Sequence, residues 1–365
     1  IFLFSLTLSY VLCDQLLFVQ TLWRHGDRIP TATYPNDPYQ EDYWGMPWGE
    51  LTTRGQKQQF LQGQRLKKLY IDGYNLVQSK YMRNETLIRS ADTPRCIQSA
   101  IANLAGFYQG SPTHPTDVDG WPTDWTPIPV HSIPHDEDRE LEPGTSCDKA
   151  DQLTVDRALK KNFLDFVASN WQIIADILMH GGGTYESDFD TLEHIYGAIS
   201  IEIDYYNLTQ PDWITDQFYA GLKSAIEQGE DYIDGAAGFD YPEDTVLLKL
   251  RGGFLLNEWI NNIQSAINGE SLRYHAYSAH DSTVTALLLV LNAKQDIIGL
   301  KNPEYAATVS CEVWQKSDGY YVKFLYSADA YSEFVPITRF ISGCPSNDDF
   351  CSVDDFIARS QKYIP

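Results

Sequence analysis

Three short apolar runs in the chain each end at charged residues, and each is followed by a segment with a helical repeat. The runs cover residues 16–23, 86–88 and 274–279. Apolar runs of this length that stop at a turn predict buried strands, and strands that alternate with helices predict a parallel sheet. Open α/β sheets bind ligands at the carboxyl ends of their strands. We therefore expect the residues at the three strand-to-helix junctions to share one site.

Helical repeats account for much of the remaining chain. They cover residues 54–70, 96–107, 284–291 and several stretches between 150 and 268. The pattern predicts an α/β fold with a doubly wound, mainly parallel sheet flanked by helices. Residues 14–145 and 245–365 would form this core domain. Residues 146–244 would form a smaller, inserted α-helical domain that covers the ligand edge as a cap.

The first predicted helix and the loop before it both carry side chains that are available for packing. The helix is expected to pack through its apolar residues Phe60, Leu61, Leu66 and Leu69. The loop over residues 31–49 is rich in aromatic side chains, including Tyr34 and Trp44. It either lines the mouth of a site and shapes substrate choice, or packs as a surface loop, and both interpretations stand.

The charge balance restricts the partners of the chain. Its 365 residues include 27 Lys and Arg against 50 Asp and Glu, a formal net charge of −23. Such acidity opposes binding to nucleic acids and to anionic membrane surfaces. An anionic small molecule must then be captured locally, by a few basic residues gathered in a cleft.

The amino-terminal residues predict entry into the secretory pathway. Residues 1–12 are mostly apolar, which is typical of the core of a signal peptide ending near Cys13. About 12 apolar residues are too few to span a bilayer. Sequons at Asn84 and Asn207 are acceptors for N-glycans in secreted proteins. The expected location is secreted or lysosomal, and a membrane anchor beyond Pro365 stays open.

Five cysteines remain if Cys13 leaves with the signal peptide. Cys344 and Cys351 lie close in sequence and are expected to close a small disulfide loop. The other three are Cys96, Cys147 and Cys311. They allow several pairings and leave one cysteine unpaired.

The strongest chemical motif follows the first strand, where residues 24–30 have the sequence RHGDRIP. Arg24 and Arg28 lie on either side of His25, so forked donors for phosphate oxygens accompany a nitrogen nucleophile. For Arg-His-Gly alone, a basic surface turn is the simpler interpretation. The full run of seven residues favours phosphate chemistry.

The other two junctions add a further cation and an acid. Arg89 ends the second strand, whereas His280 and Asp281 follow the third. An aspartate in this position is more often only a helix N-cap. The histidine before it and the two earlier junctions favour a chemical role for Asp281.

A second histidine pair, His131 and His135, has the spacing of a helical metal site. Pro134 lies between them, and proline opposes a helix there. We therefore expect no metal ion at this pair.

Residues 24–30 and 280–281 together resemble the signatures of the histidine acid phosphatases, a secreted or lysosomal branch of the phosphoglycerate mutase-like superfamily. The resemblance implies that His25 is the nucleophile and forms a phosphohistidine, and that Asp281 is the proton donor. The phosphate-binding residues that it implies are Arg24, Arg28, Arg89 and His280. Arg95 is expected on the helix surface, in a structural or solvent-facing position.

The activity expected from this resemblance is acid phosphatase activity on small phosphate monoesters. It needs neither a metal nor another cofactor, because arginines supply the positive charge. An acid optimum is expected because Asp281 must be neutral to donate a proton. The resemblance also leaves a homodimer open, since relatives often form one.

Three alternatives stand beside this activity: a phytase, a lysophosphatidate phosphatase, and a secreted binding protein that has lost turnover. A large basic pocket would favour phytate, and the acidity of the chain does not encourage it. Every residue that the resemblance requires is present, which opposes the binding protein.

Overall fold

Strands in the described part of the chain form one mixed sheet. The structure is a computed structural model that describes residues 14–122, 125–183 and 189–365, so the predicted signal peptide at 1–13 lies outside the described residues. The strands are β1 (Gln15–Arg24), β2 (Thr86–Ser90), β3 (Tyr274–Ala279), β4 (Thr308–Lys316), β5 (Gly319–Ser327), β6 (Val335–Pro336) and β7 (Cys351–Ser352). Their order across the sheet is β2-β3-β1-β4-β5-β6, and β7 pairs with β5.

Parallel pairing is confined to β2, β3 and β1, whereas the other pairs are antiparallel. The expectation of a mainly parallel sheet therefore holds for the half that carries the three junctions, and the whole sheet is mixed. Only Ser317 and Asp318 separate β4 from β5. A two-residue connection joins strands only as an antiparallel hairpin.

Helices cover both faces of the sheet, which confirms the α/β class. The α-helices are α1 (Glu41–Trp44), α2 (Thr53–Lys67), α3 (Pro94–Phe107), α4 (Asp148–Ala158), α5 (Lys161–Ser169), α6 (Trp171–His180), α7 (Phe189–Ser200), α8 (Asp216–Ile233), α9 (Thr245–Ile267), α10 (Asp281–Val290), α11 (Lys294–Ile297) and α12 (Val353–Ser360). Wider π-helical turns continue α2 over Lys68–Gly73 and α7 over Ile201–Tyr205, and a 3₁₀ turn spans Thr338–Phe340. None of the described helices has the length and apolar character needed to cross a membrane.

Two apolar clusters attach these helices to the sheet. The cluster on one face joins the sheet to α2 and α3 through Val19, Ile88, Leu66, Ala100 and Leu104. The cluster on the other face joins it to α9, α10 and α12 through Leu22, Phe324, Trp259, Leu287 and Phe356. The three strand-to-helix junctions are thus fixed from both sides.

Helices α2 and α3 touch at two glycines. A Cβ on Gly63 would lie 1.9 Å from the carbonyl oxygen of Asn103, and one on Gly106 would lie 2.1 Å from that of Phe60. The close contact buries a polar stripe of α2, formed by Gln58, Gln59 and Gln62. Among the four apolar residues expected to pack, Leu66 is fully buried and the others are half-buried.

Helices α6, α7 and α8 share an apolar cluster of their own. Its members include Ile177, Ile195, Ile199, Phe218, Leu222 and Ile226. Tyr34 of the aromatic loop inserts into this cluster, and the Tyr39 hydroxyl donates to the Thr209 carbonyl oxygen at 2.6 Å. The loop over residues 31–49 therefore packs against the inserted helices.

The expected disulfide between Cys344 and Cys351 is confirmed. The bond ties the segment before β7 to the first residue of that strand. The other three cysteine candidates, Cys96, Cys147 and Cys311, form no disulfide with one another.

A buried carboxyl group lies where the inserted helices meet the aromatic loop. Glu202 is fully buried close to Asp37, and it accepts a hydrogen bond from the Gln210 amide at 2.9 Å. Burial, reinforced by the Asp37 carboxylate, raises the pKa of Glu202 to about 9. An unfolded glutamate titrates near pH ~4.3. Between these two pH values the folded chain binds an extra proton, so its stability falls as the pH rises.

We expect the chain to unfold at a lower temperature at pH 8 than at pH 5. The contribution of protonated Glu202 is complete below the unfolded pKa and is lost as the pH rises towards the folded pKa. Glu202→Gln does not titrate, so it should reduce the pH dependence of the unfolding midpoint by several degrees, whereas exposed Glu270→Gln should not. Thermal unfolding between pH 5 and 8 measures this. An unaltered dependence in Glu202→Gln would contradict the assignment.

Candidate active site

The first and third junctions meet at the carboxyl edge of the parallel strands. Arg24, the last residue of β1, lies opposite Ala279, the last residue of β3, and a histidine follows each. The backbone N–H of His25 donates to the Ala279 carbonyl oxygen at 2.8 Å. The rings of His25 and His280 lie edge to face, with centroids 5.7 Å apart. The structure thus brings both histidines together, as their positions after neighbouring strands require.

His25 is buried and neutral. Its Nδ1 lies 2.8 Å from the carbonyl oxygen of Gly26. Because a carbonyl only accepts, Nδ1 carries the proton and the Nε2 lone pair is free. Burial and then the charges of Arg95, Arg24 and Arg28 hold the pKa of His25 well below its usual range. This is the state that a nitrogen nucleophile requires.

The turn that carries His25 depends on two glycines in contact. A Cβ on Gly26 would lie 2.3 Å from the carbonyl oxygen of Gly55, and one on Gly55 would lie 2.2 Å from that of Asp27. Thr52, the N-cap of α2, donates its hydroxyl to the Asp27 carboxylate at 2.6 Å. The start of α2 is therefore fixed directly against the histidine turn.

Arg24 and Asp281 form an ion pair across the junctions. Nη2 of Arg24 lies 2.6 Å from Oδ2 of Asp281, and the guanidinium stacks on the Tyr305 ring at 4.3 Å. Burial alone would raise the pKa of Asp281, but Arg24, Arg28 and His280 outweigh it and lower that pKa to about 2. Asp281 is therefore a carboxylate in the free protein.

Three arginines converge on one cavity of about 450 Å³. Arg24, Arg28 and Arg95 line it together with Asp281. Arg95 is in the first turn of α3, and its Nη2 lies 3.4 Å from Nδ1 of His280. The Nε groups of the three arginines are buried without a hydrogen-bond partner among the described residues. Three guanidinium groups around one cavity are suited to an anion.

Arg89 points elsewhere, so its expected place in this pocket is wrong. The carboxylates that hold its guanidinium are those of Asp138, Glu140 and Glu258, at 2.7, 3.4 and 3.1 Å. Arg89 pairs with Tyr277, two residues before the end of β3, so its backbone lies about 7 Å short of the edge. Arg95 supplies the third guanidinium instead, and its expected structural or solvent-facing position is also wrong.

His280 is the N-cap of α10 and is buried between two partners. Its Nε2 lies 3.2 Å from Oε1 of Glu142, and the Cys96 sulfur lies 3.7 Å from each ring nitrogen. Burial by itself lowers the pKa of His280, but Cys96 and Glu142 outweigh burial and raise that pKa to about 9. His280 is therefore cationic at acid and neutral pH.

Sequence reasoning missed three residues of the site: Arg95 in the cavity, Glu142 beside His280, and Tyr305 under Arg24. Arg95 carried a signal, because it directly follows Pro94 in the first turn of a junction helix, which faces the ligand edge. Glu142 and Tyr305 lie in segments without a strand or helix repeat, so no local pattern marks them.

The cavity is also lined by an acidic wall. Its charged lining consists of Glu193, Asp204, Glu227, Glu230 and Glu304 against Lys223 and Lys301. Lys223 is already paired with Asp204 at 3.0 Å. Burial and the nearby Asp281 carboxylate raise the pKa of Glu230 to about 8. The three arginines therefore share their cavity with an acidic wall.

Comparisons with known proteins agree with this geometry. The family model described as histidine phosphatase superfamily (branch 2) matches residues 15–327. Lysosomal acid phosphatase of Rattus norvegicus is 30% identical over 355 residues, which are 96% of this chain and 78% of the relative. Prostatic acid phosphatase of Bos taurus is 30% identical over 339 residues, 92% of this chain and 82% of the relative.

Solved structures share the fold. The apo form of Hafnia alvei phytase aligns with a TM-score of 0.67 and 13% identity, covering 96% of this chain and 97% of that one. The phytase of Klebsiella sp. ASR1 aligns with a TM-score of 0.65 and 15% identity, covering 97% of each chain. At this identity the likeness shows the fold alone.

Removing Arg95 and removing Arg89 should have opposite consequences. Arg95→Ala should weaken binding of inorganic phosphate about 10- to 100-fold, the loss typical of a charge-assisted hydrogen bond, and change the unfolding midpoint little. Arg89→Ala leaves buried Asp138 without its cation, so it should lower the unfolding midpoint and leave phosphate affinity nearly unchanged. Calorimetric titration and thermal unfolding of both variants measure this. The reverse pattern would indicate that Arg89, and not Arg95, binds the phosphate.

Proposed function

The chain belongs to branch 2 of the histidine phosphatase superfamily, and on this premise we propose that it is an acid phosphatase that hydrolyses phosphate monoesters to an alcohol and inorganic phosphate. The observation that carries the proposal is the neutral His25 imidazole, with its Nε2 lone pair free, among three converging arginines. Relatives with this activity in their names match nearly the whole chain, which supports the same reaction.

The substrate phosphate is held by Arg24, Arg28, Arg95 and His280. Arg24, Arg28 and Arg95 line one cavity, and Nδ1 of cationic His280 lies 3.4 Å from Nη2 of Arg95, so the four groups can donate to the three non-bridging oxygens at once. A phosphoryl group in transfer spreads its charge over these oxygens. Fixed cations therefore stabilise the transition state more than the bound ester.

His25 attacks phosphorus in line through Nε2. Its proton stays on Nδ1, held by the Gly26 carbonyl oxygen, so no base is needed to free the lone pair. The new N–P bond forms as the bond from phosphorus to the alcohol oxygen breaks. The product of this step is a phosphohistidine on His25 and the free alcohol.

Asp281 delivers a proton to the departing alcohol oxygen. Its pKa of about 2 makes it a carboxylate before substrate binds, so the proton must enter with the substrate. A phosphate monoester dianion takes up one proton below a pH of about 6 and becomes a monoanion. The proton of the bound monoanion passes to Asp281 and from there to the leaving oxygen. Activity therefore falls as the pH rises above this range.

Water completes the cycle. The Asp281 carboxylate, which has just lost its proton, accepts one from the attacking water. The water oxygen bonds to phosphorus, the N–P bond to His25 breaks, and the proton on Asp281 passes to the phosphate, which leaves with His25 again neutral and Asp281 again a carboxylate. The sum is one ester and one water converted to one alcohol and one phosphate.

The alternatives are less well supported. A phytase must bind six phosphate groups, and the acidic wall with Glu227 and Glu304 repels them. No feature of the cavity favours a lysophosphatidate. A binding protein without turnover would have no use for a histidine kept neutral beside an acid.

The same proposal covers the cap and the location of the chain. Residues 146–244 form a cap, and the separate apolar cluster of α6, α7 and α8 supports this division. The chain enters the secretory pathway through a signal peptide at 1–13 and works in an extracytoplasmic or lysosomal compartment, which the names of its relatives support. Asn84 and Asn207 carry glycans, since both side chains are exposed.

We expect hydrolysis of p-nitrophenyl phosphate to peak at acid pH and to persist in EDTA. His25→Ala should abolish turnover, whereas His114→Ala, a histidine outside the cavity, should not. Asp281→Asn should lower kcat about 10²- to 10⁴-fold on β-glycerophosphate and less on p-nitrophenyl phosphate, whose leaving group needs little protonation. Steady-state kinetics from pH 4 to 8 test these expectations. Folded wild-type protein without turnover would refute the proposed function.

The acidic wall should make phytate a poor substrate. We expect kcat/KM for phytate to lie at least about tenfold below that for β-glycerophosphate at low ionic strength, since several phosphates must face carboxylates. Glu227→Gln should narrow this gap, whereas Glu270→Gln, remote from the cavity, should not. Phosphate release from both substrates in both variants provides the test. A wild-type preference for phytate would favour the phytase.

A further inference from the structure

We propose that Glu142 is a positioning residue of this pocket: its carboxylate keeps the His280 imidazole doubly protonated and turns its Nδ1–H towards the bound phosphate. The inference rests on the proposed function, because it assigns His280 a phosphate oxygen. It concerns a residue that no strand or helix pattern marks and that does not itself touch the substrate.

The contact between the two side chains is direct and buried. Oε1 of Glu142 lies 3.2 Å from Nε2 of His280, and each residue exposes less than a tenth of its surface. Because a carboxylate only accepts, Nε2 must carry the proton that it shares with Glu142. A carboxylate behind a functional imidazole fixes the orientation of the ring and raises its basicity.

The fold holds Glu142 in place through its neighbour. Leu141 is fully buried, and its carbonyl oxygen accepts the Thr283 hydroxyl at 2.7 Å. Thr283 belongs to the first turn of α10, the helix that His280 caps, and its hydroxyl also accepts the His280 backbone N–H at 3.3 Å. One threonine therefore couples the Glu142 segment to the histidine.

The other side of the ring faces the arginine pocket. Nδ1 of His280 lies 3.4 Å from Nη2 of Arg95. A guanidinium has no acceptor, so a doubly protonated ring places two donors side by side with nothing between them to accept. A phosphate oxygen would accept from both. Without Glu142, Nδ1 would instead lose its proton and accept from Arg95, which would remove one donor from the pocket.

The groups around His280 act in opposite directions. Those that face it are Cys96, Glu142, Arg95, His25 and Asp281. Burial and Arg95 oppose the cation, whereas the Cys96 sulfur and the Glu142 carboxylate favour it. The experiment must therefore separate Glu142 from Cys96 as well as from a purely structural effect.

Glu142 also contacts a histidine at the protein surface. Its Oε2 lies 3.5 Å from Nε2 of His135, whose side chain is 59% exposed. His135 contacts Oε2 of Glu142, whereas His280 contacts Oε1. Substitution of His135 by Asn should therefore leave the pocket unchanged.

Glu142→Gln is the informative variant, because glutamine can still accept from Nε2–H but carries no charge. We expect its kcat/KM on p-nitrophenyl phosphate to stay within about threefold of wild type at pH 5 and to fall about fivefold further at pH 9, because a His280 pKa one unit below about 9 leaves about a tenth of the rings protonated there, against about half in wild type. Glu142→Asp keeps the charge and should recover most of this loss. Glu140→Gln, two residues away and paired with Arg89, is the matched control and should keep the wild-type profile.

The titration of His280 gives a readout that does not need turnover. In Glu142→Gln the imidazole resonance of His280, followed by NMR, should titrate at least about one unit lower than in wild type, and the affinity of the variant for inorganic phosphate should fall more steeply than that of wild type between pH 7.5 and pH 9. Cys96→Ala should change the pKa of His280 by a separate amount. Glu142→Gln should still lower that pKa when Cys96 is also replaced by Ala. If Glu142→Gln does not fold, Glu142→Ala removes the same charge and should lower the His280 titration by at least as much.

Two results would overturn the inference. One is an unchanged His280 titration in Glu142→Gln, and the other is a loss of activity that is equal at every pH, which indicates a structural role. Absence of turnover in wild type would instead refute the proposed function. The His280 titration would then be the only test of the role of Glu142.

Discussion

Positive charge crowded around one neutral histidine is the constraint on which the rest of the site depends. Burial, together with the charges of three arginines and a cationic His280, keeps His25 unprotonated, yet the same charges repel one another in a buried pocket. Acidic groups from other segments offset this repulsion: Asp281 pairs with Arg24, and Glu142 pairs with His280. Because these partners come from separate parts of the chain, the pocket exists only when the sheet, α10 and the segment before α4 are assembled.

Close backbone contacts give this arrangement its stiffness. Gly26 meets Gly55 at the histidine turn, and Gly63 meets α3 two helical turns further along α2. Such contacts bury carbonyl groups, which need donors. Gln59 supplies one by donating to the Arg24 carbonyl oxygen at 2.8 Å. This explains why the buried stripe of α2 is rich in glutamine, where an amphipathic pattern alone predicts leucine and phenylalanine.

Local patterns in the sequence predicted the features that a single segment determines. They failed for the features that depend on the register between segments. Arg24 and His25 directly end a strand, so their place at the sheet edge follows from the apolar run before them. Arg89 and Arg95 are six residues apart, and the choice between them depends on how β2 aligns with β3, which neither strand specifies alone. Glu142 reaches His280 through tertiary packing across 138 residues of chain, so no local repeat marks it. The antiparallel half of the sheet follows from the short β4–β5 turn, a detail that counting alternating strands and helices overlooks.

Acid pH protonates several groups in this molecule, and each protonation favours stability or activity. Desolvation raises the pKa of Glu202 to about 9 and, with Asp281 nearby, that of Glu230 to about 8. Protonated Glu202 stabilises the contact between the inserted helices and the aromatic loop, and protonated Glu230 removes a negative charge from the acidic wall of the cavity that an anion enters. In the proposed reaction, the substrate monoanion brings the proton that Asp281 lacks. Stability, access and chemistry therefore favour the same pH range for independent reasons, so the preference for acid does not rest on Asp281 alone.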